Sequence, residues 1–256
     1  MLNHDFYYPH PLPQKVYYPG LSNRSDRWQR QILALWIITQ GYSLGVEILQ
    51  LTAEPFGTNP RSGALRQVIP DLRNAELIRT EAPRLRIFSV SRLKVTVVQL
   101  TDKGRDLAEQ FGWTVSESEW ERMQRLHEKG NYQGRHTLAV LVFAYQARLR
   151  GWSVGIIPEL DAGRFYPDAL VEKDGESYYV EVELGDGKLT KWANMAKHGG
   201  YIALCARAPE HREQLLAEAV SSASKHSQLQ LGTDLQTLLA NPDSPLWLER
   251  IEQSEE

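Results

Sequence analysis

Two stretches of the chain decide its fold: FYPDALV at residues 165–171 and YYVEVELGDGKLTKW at residues 178–192. Glu181 and Glu183 lie two positions apart on a predicted strand, so their side chains emerge on the same face. Pro167-Asp168 lies at the start of the preceding strand, and the hairpin turn between the strands brings Asp168 near that face. Carboxylates that converge at the end of a sheet supply the oxygen ligands of a hard divalent cation. We therefore expect a metal site at this end of the sheet.

The sequence around these two strands alternates between helical and strand patterns. The predicted order is helix, three strands, helix, strand, helix and strand, at 136–150, 153–158, 165–172, 177–184, 188–198, 201–206, 210–225 and 228–231. This order predicts an α/β domain built on a mixed central sheet. The helix after the two glutamates carries Lys188, Lys191 and Lys197.

Carboxylates and a lysine together suit the hydrolysis of phosphodiesters. A bound Mg²⁺ or Mn²⁺ generates hydroxide and neutralises the phosphate, and a lysine adds positive charge. The opposing interpretation is structural, because glutamates at alternate strand positions also mark the solvent face of a half-buried sheet. Both interpretations stay open on the residues alone.

The residues before 114 show a different order of elements. Helical patterns begin at Asp26 and at Ser43, a good helix cap, and a third covers 61–75 with Pro70 as its expected kink. The order is completed by strands at 77–80 and 94–100 and by a helix capped by Thr101. Three helices, a hairpin and a further helix predict a winged helix-turn-helix domain.

Charge is spread unevenly along the chain. Residues 1–113 carry a net charge of +4 and residues 114–256 a net charge of −7, within a total of −3. The positive excess lies between Pro55 and Arg105, which covers the third helix and the hairpin. A basic face on an acidic chain is typical of polyanion binding, although a basic stretch is also common on a plain solvated face. In a winged helix, the third helix enters the major groove and the hairpin reaches flanking phosphates.

The run VVQLTDKGRDLAEQ, residues 97–110, resembles the junction between the wing and the next helix in PadR- and MarR-type winged helices. There a strand ends in Leu-Thr, and a Lys-Gly turn opens the helix. The similarity extends over about residues 26–111. It implies that the residues facing DNA are Arg61, Ser62, Arg66 and Gln67, with Arg84 and Arg86 in the wing. The alternative is a protein-docking module, because winged helices serve that purpose too.

The second half of the chain resembles the PD-(D/E)XK nuclease superfamily, in which a Pro-Asp pair is followed by Glu-x-Lys on the next strand. This chain departs from the pattern at Glu183, where the motif has its lysine. Within the superfamily it is most similar to the replication-relaxation family of plasmid and mobile-element proteins. These join a winged helix to a domain with Pro-Asp, Glu-x-Asp and a lysine on the following helix. The matching stretches are FYPDALV, YYVEVELGDGKLTKW and TDLQTLLANPDSPLW.

The resemblance implies a role for each matching residue. Asp168 and Glu181 would bind Mg²⁺ or Mn²⁺, and Lys191 would be the displaced lysine. Glu183 would stand at the acidic third position and complete the catalytic set. The implied accessory residues are His136 and Glu159. Because the lysine is missing from its usual place, the resemblance is consistent both with a nuclease and with a relative that keeps the fold without the activity.

Several other classes of protein are excluded by what the sequence lacks. Cys205 is the single cysteine, which excludes a disulfide framework and a cysteine-based zinc site. The histidines lack the spacing of a zinc site, and no glycine-rich phosphate loop indicates an ATPase. No apolar run approaches the ~20 residues of a membrane span, and the first residues do not form a secretory signal. We therefore expect a cytoplasmic protein.

These patterns predict two domains of the mixed α/β class, a winged helix-turn-helix and a restriction-endonuclease-like domain with a mixed central sheet. The predicted boundaries are an extended arm over 1–25, the winged helix over 26–113, a helical connector over 114–134 and the nuclease-like domain over 135–256. We expect a metal-dependent endonuclease of a plasmid or other mobile element that binds double-stranded DNA. The alternatives are an inactive regulator of replication, mobilisation or transcription and a protein-interaction adaptor. A homodimer and replication or mobilisation proteins are the other expected partners.

Overall fold

The computed structural model describes residues 12–82, 95–127, 134–157, 167–185, 189–223 and 228–252. These residues fall into two compact units, an N-terminal unit over 12–127 and a C-terminal unit over 134–252. Each unit has its own buried apolar core. Within the described ranges, no helix has the length and apolar character needed to span a bilayer.

Helices packed on one apolar stripe form most of the N-terminal unit. Trp28, Ile32 and Leu35 recur every three or four residues on the first helix, and all three are buried. That helix packs against the second and fourth helices. In chain order the elements are α1 (Ser25–Thr39), α2 (Gly45–Ala53), a 3-10 turn (Glu54–Phe56), α3 (Gly63–Arg66) and α4 (Val68–Asn74).

The third predicted helix, 61–75, is two helices in the structure. α3 ends at Arg66 and α4 begins at Val68, so the break falls at Gln67. Pro70 explains the break, because it has no N–H to donate to the Arg66 carbonyl and its ring would clash with that carbonyl. Within α4, Pro70 lies in the first turn, where an N–H has no helical partner anyway.

A two-stranded ribbon follows these helices. β1 (Ile78–Glu81) and β2 (Val97–Leu100) pair antiparallel. Leu44, just before α2, forms an isolated antiparallel bridge to Val97 and so extends the ribbon by one residue on its other side. The predicted wing residues Arg84 and Arg86 lie outside the described residues.

Two more helices complete the N-terminal unit. α5 (Asp102–Gln110) is capped by Thr101 as predicted, since the Thr101 hydroxyl accepts the Gly104 N–H at 3.1 Å. α6 (Glu119–His127) covers much of the predicted connector, yet its Trp120 is buried in this unit. The Ser43 hydroxyl accepts the Trp120 N–H at 3.1 Å. Ser43 is therefore not the cap of α2, whose N-cap is Leu44.

A mixed sheet is the centre of the C-terminal unit, as the sequence predicts, and it has six strands where the sequence predicts five. The elements are α7 (Gly134–Leu149), β3 (Ser153–Ile156), β4 (Ala169–Lys173), β5 (Glu176–Val182), α8 (Leu189–Gly199), β6 (Tyr201–Ala206), α9 (Pro209–Ala223), β7 (Leu229–Asp234), α10 (Leu235–Ala240) and β8 (Glu249–Glu252). The strand order is β3-β4-β5-β6-β7-β8. β5, β6 and β7 run parallel, and the pairs at both ends are antiparallel.

The pairing of strands follows from their connections. β4 and β5 form a hairpin because Asp174 and Gly175 both adopt positive φ, 51° and 86°, as a tight two-residue turn requires. β5, β6 and β7 are instead separated by α8 and α9. Each of these helices carries the chain back along the sheet, so that the next strand can run parallel to the one before it. β6, the run YIALCA, is buried over five of its six residues and lies at the centre of the core. α10 and β8 were not predicted.

Candidate functional site

The predicted ligands Asp168 and Glu181 lie side by side in the C-terminal unit. Glu181 is on β5 and is 3% exposed, and Asp168 immediately precedes β4 and is 8% exposed. The Asp168 N–H donates to the Val180 carbonyl at 3.0 Å, which continues the hairpin ladder past the end of β4. Continuing the β4–β5 register by one residue sets Asp168 opposite Glu181, so the two carboxyl groups lie on the same face of the sheet. The sequence placed both residues on adjacent strands, and the structure brings their side chains together.

Hydrogen bonds fix both oxygens of Asp168. Its Oδ1 lies 2.8 Å from His136 Nε2, and its Oδ2 accepts the Val182 N–H at 2.8 Å. Burial raises the pKa of Asp168, but the His136 hydrogen bond and the charges around it outweigh burial, so the pKa is lowered overall. Asp168 is therefore held as an oriented carboxylate. His136, expected only as an accessory residue, is in direct contact with it.

Lys191 reaches from α8 to the two glutamates of β5. Its Nζ lies 2.7 Å from Glu181 Oε2 and 2.5 Å from Glu183 Oε1. Burial lowers the pKa of Lys191, but the surrounding carboxylates more than offset it, so the pKa is raised and the side chain stays an ammonium. A lysine from the following helix is therefore in contact with both glutamates of β5.

At this site, the ionised form of the Glu181 carboxyl is destabilised. Burial raises its pKa well above the usual value, and the charge of Asp168 raises it further, while Lys191 acts in the opposite direction. Two carboxylates side by side in a buried setting cannot both ionise without cost unless a cation lies between them. Acidic pairs with a perturbed pKa are found at functional sites and also in structural ion-pair networks.

Backbone strain lies next to the same carboxylates. Ile157 has a φ of 44°, and its N–H donates to the Asp168 carbonyl at 3.0 Å. A positive φ is rare for a β-branched residue and costs on the order of 1–3 kcal/mol, which is tolerated mainly at functional sites. Residues 158–166 follow Ile157 and lie outside the described residues, and so does the predicted accessory residue Glu159.

The side chains suit a divalent cation only in part. Asp168 and Glu181 offer hard oxygen donors from adjacent strands, as Mg²⁺ and Mn²⁺ require. Glu183 is turned toward the Lys191 ammonium. Among the described residues, no group of three or more His, Cys, Asp or Glu side chains is arranged to hold a metal ion. Two carboxylates are nevertheless sufficient for Mg²⁺ when water and a substrate phosphate complete its coordination.

The predicted DNA residues of the N-terminal unit lie on one exposed segment. Arg61, Arg66 and Gln67 are exposed, and Ser62 is half-buried as the N-cap residue of α3. Gln67 also donates to Asp71 Oδ1 at 3.3 Å, a long hydrogen bond that a ligand could replace. The segment is therefore available to a partner.

Comparisons with known proteins add no assignment. The chain matches no protein-family model, no curated protein and no solved structure. The resemblance to the replication-relaxation family therefore depends on the motif residues alone.

Proposed function

We propose that this chain is a DNA-binding protein whose C-terminal unit is a metal-dependent phosphodiesterase of the PD-(D/E)XK type. The N-terminal unit would act as a winged helix-turn-helix that binds double-stranded DNA. The observation that carries the proposal is the juxtaposition of Asp168 and Glu181, both buried, with Lys191 from the next helix. Such a cluster suits a reaction in which negative charge develops on a phosphate.

Asp168, Glu181, Glu183, Lys191 and His136 are called the acidic site. Each of these residues has a distinct part in this proposal. Asp168 and Glu181 would hold a Mg²⁺ or Mn²⁺ ion, which when bound supplies an activated water and neutralises phosphate charge. Lys191 contributes a permanent positive charge beside Glu181 and stabilises the phosphate as its charge increases. His136 orients Asp168 through the 2.8 Å contact, and Glu183 holds the Lys191 ammonium in place.

The order of elements in the N-terminal unit supports the DNA-binding half. α1, the Leu44 bridge, α2, the α3–α4 pair and the β1–β2 ribbon follow one another as in a winged helix. The exposed Arg61, Arg66 and Gln67 lie at the start of the element that would enter the major groove. An arginine at such a position donates two hydrogen bonds to a guanine edge or contacts phosphate.

The test is cleavage of supercoiled plasmid with Mg²⁺ or Mn²⁺, combined with a gel shift on the same DNA. Asp168→Asn removes a metal ligand but keeps the shape of the side chain, so we expect cutting to fall by about 10²–10³-fold while DNA affinity is retained. The matched control is Glu172→Gln, an exposed acid on the same hairpin. Cutting that persists in Asp168→Asn, or loss of cutting and binding together, would count against the proposal.

A second candidate function is favoured by the position of Lys191. Its ammonium already pairs with both Glu181 and Glu183, and Glu183 stands where the motif needs a lysine. This arrangement is what a nuclease fold without activity would keep for stability. The chain would then be a DNA-binding regulator of plasmid replication, mobilisation or transcription, with homodimer or replication-protein partners. Retained DNA binding with no nicking under either metal would support this candidate, and failure to bind DNA at low salt would leave only a protein adaptor.

A further inference from the structure

An open cleft of about 570 Å³ lies in the N-terminal unit between the start of α1 and the α3 segment. Three arginines line it at three-residue spacing, one at the N-cap of α1 and two along one side of the helix. They are Arg24, Arg27 and Arg30. None of them belongs to the predicted DNA face, although the spacing Arg-x-x-Arg-x-x-Arg was visible in the sequence.

The three arginines differ in whether the guanidinium is already paired with a carboxylate. Arg27 forms a two-pronged pair with Asp71, with Nε at 2.8 Å from Oδ2 and Nη2 at 2.6 Å from Oδ1. Asp71 is itself held by Gln31 at 2.7 Å, so this pair is part of the fold. Arg24 and Arg30 have no acidic partner among the described residues. Two guanidinium groups at the cleft are therefore free to meet an anion.

Arg30 is positioned in advance of any ligand. Its guanidinium carbon lies 5.3 Å from the centre of the Phe56 ring, within cation–π range. Its Nε is buried and has no hydrogen-bond acceptor among the described residues. An unused buried donor costs free energy that an anionic oxygen would recover. An arginine stacked on an aromatic ring loses less side-chain entropy when it binds a phosphate.

The opposite wall of the cleft is built from small residues of α3. A Cβ placed on Gly63 would meet nothing within 4 Å, and the neighbouring Ala64 is exposed. The wall is therefore open to the close approach of a bulky anion. Gln67 also lines the cleft and belongs to the predicted DNA face, so the two surfaces are continuous.

We propose that this cleft binds a backbone phosphate of duplex DNA, next to the groove that the α3 segment enters; the inference rests on the proposed DNA binding. Arg30 and Arg24 donate to the phosphate oxygens, while Arg27 stays paired with Asp71 and holds the wall. The first turn of α1 has no side-chain cap, so its N–H groups add further donors. Asp26 also lines the cleft and opposes the phosphate, which limits the affinity of the site.

The test measures the affinity of the full chain for a fluorescein-labelled random-sequence duplex over a series of salt concentrations. Because a lost phosphate contact weakens binding to all sequences, the double variant Arg24→Gln with Arg30→Gln should lose about tenfold in affinity and lower the salt slope by about one. Asp26→Asn should tighten binding by a few-fold for the opposite electrostatic reason. The matched control is Arg125→Gln on α6, an arginine of the same unit that is not at the cleft.

The outcomes separate this inference from the proposed function. If the unsubstituted chain binds the duplex but the double variant keeps its affinity and salt slope, the cleft is not a phosphate site. If the unsubstituted chain does not bind duplex at all, both proposals are overturned. Because Arg30 also packs on Phe56, Arg24→Gln alone and Arg30→Lys are measured as well, with folding checked by circular dichroism. Arg24 is exposed, so Arg24→Gln should change stability little, and a loss of affinity in that variant points to the lost contact.

Discussion

Two places in the C-terminal unit bury carboxylates beside a cation from a nearby helix, and they differ in how completely the carboxylates are satisfied. At the end of β7, Asp234 is fully buried and pairs with Arg212 of α9. At the other place, Asp168 and Glu181 lie beside Lys191 of α8. Both sites combine a strand end with a following or preceding helix, so position in the sheet does not distinguish them.

The two sites differ in how many carboxylates share the same hydrogen-bond donors. Asp234 Oδ1 accepts the Thr237 N–H at 2.7 Å and caps α10, while Oδ2 takes Arg212. Arg212 also binds the partly exposed Glu249 at 2.7 Å through a different edge of its guanidinium. In the acidic site, by contrast, Glu181 is next to a second buried carboxylate and its pKa is raised well above the usual value. Asp234 is thus held by a helix N–H and by Arg212, whereas Glu181 shares the Lys191 ammonium with Glu183 and lies beside a second buried carboxylate.

The largest expected effect comes from removing Arg212, the cation that pairs with the buried Asp234. Arg212→Ala would leave Asp234 fully buried without its cation, and we expect the free energy of unfolding to fall by about 3–5 kcal/mol. The measurement is urea denaturation followed by circular dichroism. The matched control is Arg250→Ala, since Arg250 forms exposed pairs with Glu176 and Glu252. A loss for Arg212→Ala no larger than that of the control would show that water already reaches Asp234, and the contrast between the sites would disappear.

A smaller effect of opposite sign is expected at the acidic site. Glu181→Gln removes a carboxyl that burial and Asp168 hold at a raised pKa, so the free energy of unfolding should rise near neutral pH, by about 0.5–2 kcal/mol as is usual for a stabilising substitution. The folded chain keeps the Glu181 proton to higher pH than the unfolded chain does. Stability from this group is therefore fully present below its usual pKa and is lost as pH rises toward the folded value. The gain of Glu181→Gln over the unsubstituted chain should thus grow as pH increases from about 4.5.

The pH series is measured in EDTA, so that no metal alters the carboxylates. Asp234→Asn serves as the matched comparison, because it neutralises the satisfied acid and should destabilise the chain at the same pH. If Glu181→Gln destabilises the chain as Asp234→Asn does, the Glu181–Lys191 contact is a structural ion pair and the functional interpretation of the site is wrong.

Elements of the fold could be predicted from the sequence where a single local pattern determines the structure. β6 is an uninterrupted apolar run, and its predicted bounds match the structure. The Lys173-Asp174-Gly175 turn predicted the β4–β5 hairpin, because a turn of this type favours residues that accept positive φ. α10 and β8 were not predictable in the same way. β8 is short and mostly exposed, so its pairing with β7 comes from tertiary context and leaves no periodic pattern.

The candidate site was predictable only in outline. The two-residue spacing of Glu181 and Glu183 and the hairpin position of Asp168 fix three side chains near one another. The sequence could not show that Lys191 contacts both glutamates or that His136 binds Asp168, since those contacts depend on how two helices pack. The third predicted helix was anticipated more fully, because Pro70 was expected to kink it and the structure divides it at Gln67.

The smallest expected effect concerns Glu183. It decides whether Glu183 holds Lys191 in place or binds the metal ion. Glu183→Gln keeps an oxygen that accepts from Lys191 Nζ, so the free energy of unfolding should change by less than about 1 kcal/mol. Cutting should fall by no more than about tenfold, because Lys191 remains held by Glu181 and its charge is unchanged. The measurement pairs urea denaturation with the plasmid assay, with Glu172→Gln again as the control. A loss of cutting as large as that of Asp168→Asn would instead make Glu183 a third metal ligand. Lys191 would then have to move away from it when the ion binds, and the acidic site would differ from the Asp234 site in its mobility as well as in its charge.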